Sequence, residues 1–175
     1  VTALLALAAC GSGNDIPSPL EREERERQRA SAASEAYAVT LSGSGIATSA
    51  LRLPFSTDRE LVEATLDAVL GEPDRELAQE CGAGTLAVTT YPEGLRLNFQ
   101  NGAFVGWFYD GTGMTAALPR GSRPGTPIAD LENRGGFTFI DSTLPGEFAL
   151  GEAIGGFAED DKVSALYAGT NCFMR

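Results

Sequence analysis

Few residues in this chain have types and spacings suited to chemistry. The 175 residues include no histidine, which removes His-based triads, His metal ligands and the usual near-neutral acid and base. The three cysteines, at 10, 81 and 172, have no metal-ligand spacing. Gly111-Thr112-Gly113-Met114-Thr115-Ala116 spells the glycine pattern of a dinucleotide loop. Pro119 follows too soon for the helix whose N-terminus would hold a pyrophosphate. Gly43-Ser44-Gly45 with Thr48 fails in the same way and reads as a flexible loop. Glu159-Asp160-Asp161 concentrates acid, but a calcium site needs more oxygen ligands around a loop, so this triplet reads as a hairpin turn. No spacing nominates a carboxylate pair for glycoside cleavage. The residues therefore point to a protein that is not an enzyme and takes no cofactor or metal.

Charge narrows the partners. Asp plus Glu number 24 and Lys plus Arg 13, a net charge of −11. Nucleic acid needs a cationic surface and is excluded as a partner. Residues 1–9 are a short apolar run, too short to span a bilayer. With Cys10 they end in Leu7-Ala8-Ala9-Cys10, which resembles a bacterial lipobox. The resemblance implies cleavage before Cys10 and lipidation of its thiol. No basic residue precedes the run, so the start is expected upstream, or Val1 marks an alternative start codon. Gly11, in place of Asp after the lipidated Cys, implies the periplasmic face of the outer membrane. The membrane is then contacted through the lipid alone.

Lipidation of Cys10 leaves Cys81 and Cys172, 91 positions apart. An oxidising compartment permits a disulfide between them; two buried thiols are the alternative.

The organisation read from the chain has five parts. A signal segment covers 1–9 and a Gly/Pro-containing tether covers 10–19. Residues 20–38 carry Glu21/Arg25 and Glu23/Arg27 at i,i+4 but no apolar stripe, which predicts an exposed polar helical stalk. Two helix–sheet units follow, 39–112 and 113–175. Phe99, Val105, Tyr109, Gly111 and Thr112 recur as Phe157, Val163, Tyr167, Gly169 and Thr170, each 58 positions on. Ser56-Thr57 matches Gly125-Thr126, 69 positions on. The first unit reads as a helix capped by Ser56 or Thr57, with Glu60 in capping-box spacing. Its apolar positions are Leu61, Leu66, Val69 and Leu70, and Gly71 and Pro73 stop it. Strands at 85–91, 95–100 and 103–109 follow, the last two joined by Asn101-Gly102. The second unit reads as a short helix at Ile128–Asn133 and strands near 137–140, 146–150, 153–158 and 162–168. The expected fold class is α+β, two tandem helix-then-antiparallel-strand units forming a sheet with helices on one face.

Ser56-Thr57 with Leu61-Val62 and Leu70-Gly71-Glu72-Pro73 resembles the signature of small outer-membrane lipoproteins of the SmpA/OmlA type. The duplicated layout is similar to the tandem units of beta-lactamase inhibitory protein. Cys81-Gly82-Ala83-Gly84 and the end Cys172-Phe173-Met174-Arg175 resemble a group of alphaproteobacterial lipoproteins. These resemblances imply helices stacked on one face of an antiparallel sheet, and protein binding without catalytic residues.

A two-residue turn at 101–102 fixes a register in which Phe99 faces Phe104, Leu97 faces Gly106 and Leu95 faces Phe108. These six are expected in the core. The opposite face then carries Arg96, Asn98, Gln100, Val105, Trp107, Tyr109 and, from the second unit, Tyr167, with Arg96 stacked on Trp107. Trp, Tyr and Arg are typical of binding hot spots. That face is either covered by residues 37–53 or is the partner site, with Arg96, Asn98, Val105, Trp107, Tyr109 and Tyr167 as its residues. The expected function is a lipid-anchored periplasmic protein binding an envelope protein partner through this face. A sheet-face binder of a small apolar or glycan ligand is the second reading, and an enzyme the third.

Overall fold

The computed structural model describes residues 18–25, 38–82, 84–112 and 116–173. The signal segment, Cys10, most of the tether and residues 26–37 of the stalk lie outside them. Within the described part of the stalk, residues 19–25 form a helix, α1. Ser18 caps it. Its backbone N–H donates to Glu21 Oε2 at 2.8 Å, and the Glu21 N–H donates to Ser18 Oγ at 3.3 Å, a capping box with Pro19 at the first helical position.

Residues 38–173 are α+β. In chain order they run β1 (Val39–Ser42), β2 (Gly45–Ala47), β3 (Arg52–Pro54), α2 (Arg59–Leu70), β4 (Asp74–Gln79), β5 (Leu86–Tyr91), β6 (Leu95–Gln100), β7 (Ala103–Tyr109), β8 (Ala116–Ala117), α3 (Ile128–Arg134), β9 (Phe137–Phe139), β10 (Glu147–Leu150), β11 (Ile154–Glu159) and β12 (Lys162–Gly169). Eight strands form one sheet in the order β4-β5-β6-β7-β12-β11-β10-β9, and a small sheet has the order β3-β2-β1-β8.

The helix α2 starts one residue later than expected. Asp58 is its N-cap and accepts from the Glu60 N–H at 2.9 Å, while Thr57 Oγ1 donates to the Pro54 carbonyl at 2.6 Å. Its buried stripe is Val62 and Leu66. Of the expected apolar positions Leu66 is buried and Leu70 packs against the core, while Leu61 and Val69 are exposed and Val62 takes the inward place. Gly71, at φ 87°, ends the helix. Pro127 stands at the N-cap of α3, which buries Ile128 and Leu131.

The helices α2 and α3 and the small sheet bury their apolar side chains on one face of the large sheet. Leu41, Ile46 and Leu53 from the small sheet join Val62, Leu66 and Leu131 from the helices. Leu95, Leu97, Phe99, Phe104, Trp107, Tyr109, Phe148 and Leu166 complete the same core. The small sheet was missed as strands because its elements are three or four residues long or shorter, where periodicity carries little signal. Gly43 and Ser44 turn β1 into β2 rather than forming a loose loop.

The two halves of the large sheet repeat the same backbone contacts. The Ser56 and Gly125 N–H groups donate to the Phe104 and Val163 carbonyls. The Phe104 and Val163 N–H groups donate to Thr57 and Thr126. The Arg59 and Ile128 N–H groups donate to Gly102 and Asp161. Each helix start is thus hung from a hairpin turn. Both turns place two residues at positive φ, Asn101-Gly102 and Asp160-Asp161. The hairpins therefore correspond at a spacing of 59, one more than the 58 read from residue identities. The 58 spacing matches side chains on opposite faces, Tyr109 in the core with Tyr167 on the other side. A one-residue slip along a strand does this to every side chain.

Candidate functional site

Beyond the hairpin turn the expected register holds only at Phe99–Phe104 and Gln100–Ala103. A bulge between Asn98 and Phe99 leaves Val105 as an extra residue on β7. Leu97 then pairs with Trp107, Leu95 with Tyr109, Arg96 with Phe108 and Asn98 with Gly106. Trp107 and Tyr109 therefore lie in the core, fully buried, which corrects their expected place on the outward face. Burial raises the Tyr109 hydroxyl above its usual pKa. The Trp107 indole N–H donates to the Ser42 carbonyl at 2.8 Å. Residues 39–54 pack over Trp107 and Tyr109 on the inward face, beside Leu95, Leu97 and Phe99, and not over the face of Arg96 and Asn98, for which such cover was one of the two alternatives. Phe108 takes the outward place instead.

The outward face is a second surface, and it gathers Arg96, Asn98 and Tyr167 from the expected set. The Arg96 guanidinium lies 4.4 Å from the Phe108 ring centroid and donates to Asp110 Oδ2 at 2.7 Å. The stack expected on Trp107 is thus made on Phe108. Tyr167 packs across Gly155, where any side chain would collide with its ring. Its hydroxyl donates to Oε1 of the buried Glu147 at 2.6 Å.

A C-terminal strap, residues 170–173, crosses this face. The Thr170 N–H donates to the carbonyl of the bulged Val105 at 2.8 Å. Asn98 Nδ2 donates to the Thr170 carbonyl at 3.0 Å and to Asn171 Oδ1 at 2.8 Å. A Cβ at Gly106 would run into the Thr170 backbone, so only glycine lets the strap approach there. Cys172 is disulfide-bonded to Cys81, with Cα atoms 5.6 Å apart. Phe173 lies against three rings, Tyr167 at 4.9 Å, Phe157 at 5.1 Å and Phe108 at 6.2 Å.

Between strap and sheet lies a cavity of about 320 Å³. Phe108, Phe157, Phe173 and Val88 give it apolar walls; Glu76, Arg96, Asn98, Asn171 and Cys172 complete the lining. Of the six residues expected at the partner site, Arg96 and Asn98 line it. Phe157 and Phe173 were not nominated because faces were assigned at the 58 spacing and the strap carries no periodicity. The one available signal was Gly106, a glycine inside a strand, which marks a bulge or a close backbone approach.

A separate polar cluster fixes α2 to the sheet. Glu63 accepts from Thr89 Oγ1 at 2.5 Å and from Arg59 Nε at 3.0 Å, with Arg75 Nε at 3.5 Å. Burial alone would raise the Glu63 carboxyl. The Thr89 and Arg59 hydrogen bonds and the charges of Arg59 and Arg75 outweigh it and hold the pKa below the usual value. Arg75 also pairs with Asp67, which accepts from the Tyr91 hydroxyl at 2.8 Å. Burial, then Asp67, pushes the Tyr91 hydroxyl far above its usual range.

The Gly111–Ala116 pattern has no helix behind it, since Ala116 begins β8 and pairs with β1. Among the described residues, no group of three or more Cys, Asp or Glu is placed to hold a metal ion. No described helix is long and apolar enough to cross a membrane. No protein-family model, curated protein or solved structure matches the chain.

Proposed function

We propose that this chain is a lipid-anchored protein of the periplasmic face of the outer membrane that binds an envelope protein partner and carries out no catalysis. The observation that carries the reading is the cluster of Phe108, Phe157, Tyr167 and Phe173 on the outward sheet face, opening into a cavity bordered by Arg96 and Asn98. Phe, Tyr and Arg are enriched in protein–protein interfaces relative to the rest of the surface. The rigid sheet behind them lowers the ordering cost of binding. The anchor rests on the lipobox resemblance at Leu7–Cys10. The recurring helix–hairpin hydrogen bonds support reading the sheet as two tandem units, 39–112 and 113–175.

Cavity size favours a second reading. About 320 Å³ falls at the lower end of small-molecule sites, so a small apolar or glycan ligand is the alternative occupant. Phe108→Asp and Val69→Asp, expressed from the lipidated chain, separate the cases. Protein binding predicts that F108D loses a defined co-purifying partner while V69D, on the outer face of α2, keeps it. A partner retained by both variants contradicts the reading. Cys10→Ser tests the anchor, and the variant should leave the membrane fraction.

A further inference from the structure

We infer that the cavity on the outward sheet face receives an arginine or lysine side chain from a basic segment of the partner. This rests on the partner-binding reading and names the chemistry of what enters. Phe157 and Phe173 meet edge to face, 86° apart with centroids 5.1 Å apart, so the cavity presents two aromatic walls at right angles. Aromatic faces attract cations through their quadrupole. The same lining already holds a cation in this way, since the Arg96 guanidinium sits 4.4 Å from the Phe108 centroid.

Charge selects the sign of the guest. Asp110 pairs with Arg96 at 2.7 Å, so that cation is offset by its own acid. Glu76 is the carboxylate among the lining residues, and it stands exposed on the rim strand β4. The chain as a whole carries −11, which draws a basic segment toward it from a distance and repels an acidic one. A wholly apolar guest would desolvate the Glu76 carboxylate without pairing it, whereas Asn98 and Asn171 already bond each other and backbone carbonyls. A lysine or arginine lays its apolar stem on Val88 and the rings while its charged head reaches Glu76.

The test uses the full chain and two synthetic peptides, four Gly-Arg repeats and four Gly-Glu repeats, followed by calorimetry. Saturable binding of the arginine peptide is expected, with none for the glutamate peptide. Glu76→Gln should weaken it roughly threefold or more, and Phe157→Leu similarly, from the usual size of cation–aromatic and exposed charge terms. Glu132→Gln, on the outer side of α3, should leave it unchanged. An unaltered unfolding midpoint in E76Q keeps the test independent of folding if F157L proves unstable. Equal binding of both peptides, no saturation at millimolar concentration, or an indifferent E76Q overturns the inference. The two failures remain distinguishable. If F108D loses the partner while the peptides behave in any of these ways, the partner reading stands and the basic guest does not.

Discussion

The indole N–H of Trp107 donates to the backbone carbonyl of Ser42 at 2.8 Å, tying the middle of the eight-stranded sheet to the first strand of the small one. The tie spans two sheets that no short-range pattern connects. It makes the small sheet the lid of the core rather than an appendage. Trp107 is the chain's lone tryptophan, so its fluorescence reports this joint directly. Emission should be blue-shifted and resist acrylamide quenching. Trp107→Ala should destabilise the fold by about 3–5 kcal/mol in denaturant titration. An emission maximum typical of free tryptophan in water contradicts the burial.

The disulfide should act on stability through the unfolded chain. Closing a loop over the 91 positions from Cys81 to Cys172 contributes about 4–5 kcal/mol in the chain-entropy account. The double variant Cys81→Ser/Cys172→Ser should lower the unfolding midpoint accordingly. It should also loosen the strap, so amide exchange at Thr170 should rise. Thiol trapping of the unfolded, unreduced protein should find both cysteines blocked; two free thiols would refute the bond.

Glu63 gives stability a pH dependence. Its folded pKa lies below its ordinary value, so the unfolded chain binds the proton more readily. The contribution is complete above the unfolded pKa of about 4.3. It is lost as pH falls through the lower folded value. Denaturant titrations at pH 7 and near pH 3 should show this loss in the parent. Glu63→Gln should flatten that part of the profile and cost about 1–3 kcal/mol at pH 7. An unchanged profile would show that the Thr89–Arg59–Arg75 cluster does not hold the charge.

Strap docking depends on Asn98 and Gly106. Asn98→Ala removes two hydrogen bonds to residues 170–171 and should cost about 1–3 kcal/mol. Gly106→Ala puts a methyl group into the Thr170 backbone, and should displace the strap while the core around Trp107 keeps its fluorescence. Proteolysis near the C-terminus is the readout. Faster clipping in both variants is expected, and parent-like resistance in both contradicts the role.

Most helices and strands were legible because their signals are local. Asn101-Gly102 fixed one hairpin, the alternation of Leu95, Leu97 and Phe99 fixed the inward face of β6, and Gly71 ended α2. The outward site was less legible for one physical reason. Residues 104–109 are apolar or aromatic at both alternating sets, so periodicity cannot choose a face, and the bulge at Val105 reverses the choice made from the turn. Arg96 and Asn98 came out on the right face because β6 is polar there and their strand is not the one that bulges. The strap was illegible because Asn98 and Asn171, 73 positions apart, meet only in three dimensions.

Partner binding is assigned to the outward face around Phe108. In-cell photo-crosslinking tests it most directly, with a photoreactive residue at position 108 and a control at position 69 on the outer face of α2. A discrete protein adduct from 108, absent from 69 and identified by mass spectrometry, is the predicted result. The same adduct from both positions, or from 69 alone, would contradict the account and move the binding surface to the helix side.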